Sequence, residues 1–170
     1  PSVSDIDGSL VISGGTFTAP SGTMTLAGNL TITGTPTFNH NNGTIIFDGS
    51  TATLSCNNIT FNLISFGNAG TKTVNSNCSL PLGNNPTIPS SVFLNGTLSG
   101  NGSITQAGGT LSVNATGVIS GFTGFNGTGT SAFTLAGGTI PDFSTFNSGT
   151  GTVTLSAGTL TLPSGADLNG

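Results

Sequence analysis

One apolar slot recurs along this chain at a nearly constant interval. With Phe38 as the reference, the slot is filled by Phe17, Phe38, Phe61, Leu82, Ile104, Phe125, Phe146 and Leu168, a spacing of about 21 to 23 residues. That is within the range of structural repeats. The position after it is Asn39, Asn62, Asn126, Asn147 and Asn169 in five of the eight copies. A segment that alternates apolar and polar residues follows at 43–47, with counterparts at 22–26, 70–74, 90–94, 109–113 and 151–155. A second such segment recurs at 8–14, 28–34 and 157–163, and more loosely at 51–55, 77–81 and 116–121. Alternation is the period of a half-buried strand, and Gly, Pro, Asn and Ser punctuate the corners.

A unit of about 21 residues is too small to bury its own apolar face, so each unit must stack on the next. The expectation is an all-β chain, a single domain over 1–170, folded as a parallel β-solenoid of about eight rungs with three short strands in each. Stacking sets equivalent residues roughly 4.8 Å apart. The slot from Phe17 to Leu168 is then an internal apolar column. The Asn residues form a ladder at a corner, where Asn tolerates a left-handed backbone and can bond the neighbouring rung.

Charge excludes several functions. The chain carries one Lys, no Arg, no Glu and five Asp, for a net charge of −4, so it has no basic footprint for nucleic acid or an anionic membrane. Charged residues make up 4% and hydrophobic ones 34%, yet the strict periodicity argues against disorder. No apolar run approaches the roughly 18 residues of a membrane-spanning helix, and the aromatic girdles of a membrane barrel need Trp and Tyr, which are both missing. The sequence begins at Pro1 with no signal peptide or initiator Met, so it is expected to have been cut from something longer.

Catalytic and metal constellations are sparse. Asp5, Asp7 and Gly8 resemble a fragment of a calcium loop without the Glu such a loop needs. His40 is the only histidine and reads as a solvent-facing corner residue, since a metal site or a triad would need partners close by. A carbohydrate-cleaving β-helix would need clustered carboxylates or a basic residue in a groove, but Asp48, Asp142 and Asp167 fall in different rungs and Lys72 stands alone. No catalytic residue, metal ligand or cofactor is therefore expected.

Cys56 and Cys78 are about one rung apart, and a rung spacing of roughly 4.8 Å suits the Cα separation of a disulfide. A Cys56–Cys78 bridge is expected, with two buried thiols as the alternative, and a bridge implies an oxidising, extracellular setting. Eight Asn-x-Ser/Thr sequons occur, of which Asn42, Asn95 and Asn101, at outward corners, are the glycan acceptors favoured by the pattern.

Residues 13–22 resemble 156–165, and 89–96 resemble 163–170, so the rungs arose by duplication. Joining Gly170 to Pro1 leaves Leu168 and Phe17 about 19 residues apart, close to one rung, which points to head-to-tail stacking of copies. The segments at 14–18, 26–34, 108–113 and 157–162 resemble the Gly/Thr/Asn-rich repeats of large bacterial surface proteins, the autotransporter passenger domains and the adhesin shafts of the filamentous haemagglutinin type. The resemblance implies a secreted, right-handed parallel β-helix used as a stalk or fibre at the cell surface, and it transfers no binding residue.

The expected function is thus a non-catalytic extracellular structural protein. Its partners are copies of itself, head to tail, with cell-surface glycans as a further class; nucleic acid and membrane insertion are not expected. One alternative is ice binding through the outward pairs Thr23/Thr25, Thr71/Thr73, Thr110/Ser112 and Thr152/Thr154, an array that Ile46 and Phe93 interrupt. Another is a carbohydrate-binding or carbohydrate-cleaving β-helix.

Overall fold

A computed structural model describes residues 3–168. Over that span the chain is a β-solenoid of about eight rungs, built from short parallel strands with no helix among the described residues. The first rung is β1 (Val3–Ile6), β2 (Leu10–Ile12) and β3 (Thr16–Thr18), and the second is β4 (Thr23–Leu26), β5 (Leu30–Ile32) and β6 (Thr37–Asn39). The third has β7 (Thr44–Phe47) and β8 (Thr51–Ser55), then an irregular side at 56–62. The fourth is β9 (Leu63–Phe66), β10 (Thr71–Val74) and β11 (Ser79–Asn84), and the fifth is β12 (Thr87–Ile88), β13 (Ser91–Leu94) and β14 (Thr97–Asn101). The sixth is β15 (Ser103–Gln106), β16 (Thr110–Asn114) and β17 (Val118–Ser120). The last two have two strands each: β18 (Gly124–Gly127) with β19 (Ala132–Ala136), and β20 (Thr145–Asn147) with β21 (Val153–Ala157).

Each rung therefore has a first, second and third face, and the three differ in continuity. The second face is one sheet of eight strands in the order β2-β5-β8-β10-β13-β16-β19-β21. The first face is split into β1-β4-β7-β9 and β12-β15-β18-β20, and the third into β3-β6 and β11-β14-β17. Inward residues from all three meet in a single core. Leu30, Leu54, Val74, Leu94, Val113 and Leu135 of the second face are each 0% exposed, so the centre of the column is dry and filled by branched aliphatic side chains that suit a pleated surface.

The recurring Gly before Thr has a steric cause. At the corner between the first and second faces, a Cβ on Gly70 would lie 1.9 Å from the Ser50 carbonyl oxygen, and Gly70 has φ +121°. Backbones of adjacent rungs approach so closely there that a side chain cannot be accommodated.

The expected apolar column needs correction. Phe17 pairs with Phe38 on the third face, and the Phe38 and Phe61 rings are 5.5 Å apart. Ile104, Phe125 and Phe146, however, are aligned on the first face. The fifth rung is short: Leu80 pairs with Leu98, only eighteen positions on. A count at constant spacing overshoots there and slides from Leu82 on the third face to Ile104 on the first. Ile104 lies next to Thr105, whose N–H donates to the Pro86 carbonyl, not to any part of β11. Leu168 also falls outside the column, being 42% exposed, while Asp167 is the residue that stands opposite Asn147. The pattern of an inward Phe followed by an outward Asn fits a short strand on either face, which is why the two columns read as one.

Candidate functional site

The second face presents the most regular outward surface of the molecule. Because its strands are in register, alternate side chains form two columns that run along the axis. One column is Thr53, Thr73, Phe93, Ser112, Thr134 and Thr154, each opposite the next. Beside it Thr51 faces Thr71 and Thr71 faces Ser91; the Thr110 N–H donates to the Ser91 hydroxyl at 3.1 Å, and Thr110 faces Ala132. Hydroxyls and methyls therefore repeat at roughly 4.8 Å along the axis and roughly 6.7 Å across it.

This array differs in membership from the one expected. Thr71/Thr73, Thr110/Ser112 and Thr152/Thr154 lie on or beside its strands, but Thr23 and Thr25 belong to β4 on the first face, where Thr25 faces Ile46. Ile46 consequently does not interrupt the second face. Thr51 and Thr53 take the missing place, and the breaks are Phe93 and Ala132. The loose resemblance of 51–55 to the neighbouring segments concealed this, since Leu54 pairs with Leu30 across a step longer than the usual rung, which shifts the phase.

Charge avoids this surface. Asp5 projects from β1 on the first face and accepts the Thr25 hydroxyl at 2.5 Å. Asp7 and Asp48 sit at corners between first and second faces, Asp142 lies exposed before β20, and Asp167 is on the first face opposite Asn147. His40 occupies the corner between β6 and β7, where its Nδ1 accepts the Asn42 N–H at 3.0 Å. Asp48 and Asp142 are several rungs apart. Among the described residues no group of three or more His, Cys, Asp or Glu could hold a metal ion.

Lys72 was expected to stand alone, and its burial was not among the expectations. It lies on β10 between Ala52 and Val92 of the flanking strands, both inward, and it is 0% exposed. Its Nζ donates to the Gly49 carbonyl of the preceding rung at 2.5 Å. Burial pushes its pKa below the ordinary lysine value, and the nearby Asp48 charge opposes that shift. The small Ala52 beneath it leaves room for the aliphatic stem, and the alternation at 71–74, which puts position 72 inward, is the signal that identifies it as buried.

The third face carries a seam. Between β6 and β11 the chain at 56–62 forms no strand, so both β6 and β11 are sheet edges. Pro81, which has no N–H, sits within β11 at this edge, a position that tolerates it. Other groups hold the seam together. Cys56 and Cys78 form a disulfide with Cα atoms 4.9 Å apart. The Cys56 N–H donates to Asn77 Oδ1 at 3.1 Å, and Asn57 Nδ2 reaches back to the Gly34 carbonyl at 2.6 Å. Asn62 Nδ2 donates to the Asn42 and Gly43 carbonyls at 2.9 and 3.1 Å. A groove of about 300 Å³ lined by Asn58, Ile59, Thr60, Phe61, Ser79, Pro81 and Ser99 opens over the seam.

The Asn residues expected as one ladder are spread over two faces. Asn39 faces Thr18 on the third, and Asn126 faces Asn147 on the first. Asn147 Oδ1 accepts the Gly149 N–H within its own rung, and Asn169 lies outside the described residues. The Asn residues that adopt a left-handed backbone are instead Asn41, Asn42, Asn57, Asn58 and Asn85. Of the expected glycan acceptors, Asn42 and Asn101 are exposed, whereas Asn95 is half-buried and its Oδ1 accepts from Asn114 Nδ2 at 3.0 Å.

The chain matches no protein-family model, no curated protein and no solved structure.

Proposed function

We propose that this chain is a non-catalytic structural solenoid, a length of stiff extracellular fibre or stalk at the cell surface, in which rungs continue from copy to copy, head to tail. The observation that supports this reading is the unbroken second face, eight parallel strands aligned from β2 to β21. Such a stack directs its backbone hydrogen bonds along the axis, so rigidity accumulates with every rung added. Outward Thr, Ser and Asn keep the rod hydrated with almost no charge, and the Cys56–Cys78 bridge suits an oxidising compartment. Electron microscopy of the native material tests the reading. A thin continuous fibre with an axial repeat near 38 Å, about eight rungs at roughly 4.8 Å, is the expected result; isolated short particles at all concentrations overturn head-to-tail growth.

Ice binding is the second reading, favoured by the two Thr columns on the second face. Hydroxyl and methyl groups on a flat repeat can order water at matching intervals. A thermal-hysteresis measurement on concentrated protein decides it, and a freezing point equal to the melting point removes it.

A further inference from the structure

We propose that the outward side of the second face is a lateral contact surface, on which a second copy of this chain lies side by side with the first, second face to second face. This rests on the fibre reading and adds a direction to it: rods associate sideways as well as end to end.

Three observations converge on that face. The first is charge. Every described ionisable side chain lies on the first face, at a corner, or, for Lys72, inside the core. Two copies of net charge −4 repel least when each presents the surface free of carboxylates. The second is Phe93. It is 42% exposed and flanked in its column by Thr73 and Ser112. The other exposed large apolar residues, Val3, Val11, Leu155, Leu162 and Leu168, fall in the first rung or in the last rungs, so Phe93 alone stands on the middle of a lateral face. A two-fold axis lying in the interface beside Phe93 seats the two rings against each other and makes the contact self-complementary. The third is continuity. The second face is one sheet of eight strands with no missing strand, so no gap interrupts the approach of a matching sheet.

The area bounds the size of the contact. Eight strands at roughly 4.8 Å make a face about 38 Å tall, and about four residues of width add about 13 Å, so a pair buries on the order of 1,000 Å² in total. That is the lower limit for a specific interface. An interface of that size belongs to the weak or transient class, so one pair of chains is expected to come apart on dilution. Rods of several copies bind more tightly as contacts add along their length.

Sedimentation equilibrium from about 10 µM to about 1 mM, on the protein and on Phe93→Asp and Thr25→Asp variants of verified fold, tests this. The expected result is a monomer–dimer equilibrium that Phe93→Asp weakens at least about tenfold and that Thr25→Asp, on the first face, leaves unchanged. A monomer throughout the range overturns the proposal. So does association that Phe93→Asp leaves intact, which would place the contact at the ends and leave the fibre reading standing. A monomer that shapes ice crystals overturns it in favour of water as the occupant of this face. Side-by-side dimers without axial fibres in the microscope would remove the fibre reading while keeping the lateral contact.

Discussion

The second and third faces of this solenoid are made of the same residue types and solve the same problem differently. On the second face, eight strands form one continuous sheet, its backbone ladder supplemented where the Thr53 and Thr110 N–H groups donate to Asn29 Oδ1 and the Ser91 hydroxyl, and the remaining outward side chains form regular columns. On the third face the ladder fails between β6 and β11, and a disulfide, the Asn77, Asn57 and Asn62 amides and an edge proline take its place. A continuous ladder needs few specific side chains outside; one that is interrupted demands more of them. Regular surfaces and chemically particular ones therefore lie on different faces of the same core.

That contrast is open to direct test, and the largest effect is expected in the core of the second face. Leu94→Ala, at a position 0% exposed, should lower unfolding stability by about 3 to 4 kcal/mol in chemical denaturation. Pro81→Ala on the β11 edge should change it by less than about 0.5 kcal/mol; equal losses at both sites would erase the distinction. Replacing both Cys56 and Cys78 by Ser should cost about 3 kcal/mol. Hydrogen exchange should then show protection lost first at 56–62 and kept on the second face. Gly70→Ala should cost about 2 kcal/mol, because its Cβ would collide with the Ser50 carbonyl at an already left-handed φ. Removing one seam bracket with Asn57→Ala should cost about 1 kcal/mol.

A further small effect concerns Lys72, and its sign can be worked out. Its folded pKa is below its unfolded value, so between the two the unfolded chain binds more protons. Stability must rise with pH through that window and level off above the ordinary lysine value. Lys72→Met should abolish this slope and raise stability near neutral pH by up to about 1 kcal/mol. A denaturation midpoint that stays flat into the alkaline range in the native chain would mean that Lys72 is not buried as an ammonium.

Much of this architecture was legible in the chain, because alternation with corner residues at a fixed interval has one economical solution. The parallel stack, the repeat number and the proximity of Cys56 to Cys78 follow from spacing alone. Face assignment did not, since period-two alternation is identical on all three sides and only the accumulated length of each rung separates them. The eighteen-residue step from Leu80 to Leu98 moved the aromatic column from the third face to the first, and the long step from Leu30 to Leu54, its partner on the next strand, hid Thr51 and Thr53 from their true neighbours. The Asn brackets were visible as a composition but not as partners, because each depends on which carbonyl its rung leaves unpaired. Lys72 shows the same limit from the other side. Its inward parity is written in 71–74, yet what receives its amine, the Gly49 carbonyl, is set by the corner of another rung.

If the proposed fibre bears load along its axis, the Cys56–Cys78 bridge has a mechanical meaning. Under a pull applied at its two ends, rungs peel away in sequence, and each gives up extra length as its residues straighten. The covalent clip spans 22 positions, so it withholds about 75 Å of extended chain, at about 3.4 Å per residue, until it is reduced. An oxidised rod and a reduced one would thus rupture at different total extensions by that amount, and in the proposed fibre the clip would set how far the rod can be drawn out before it must break or slip.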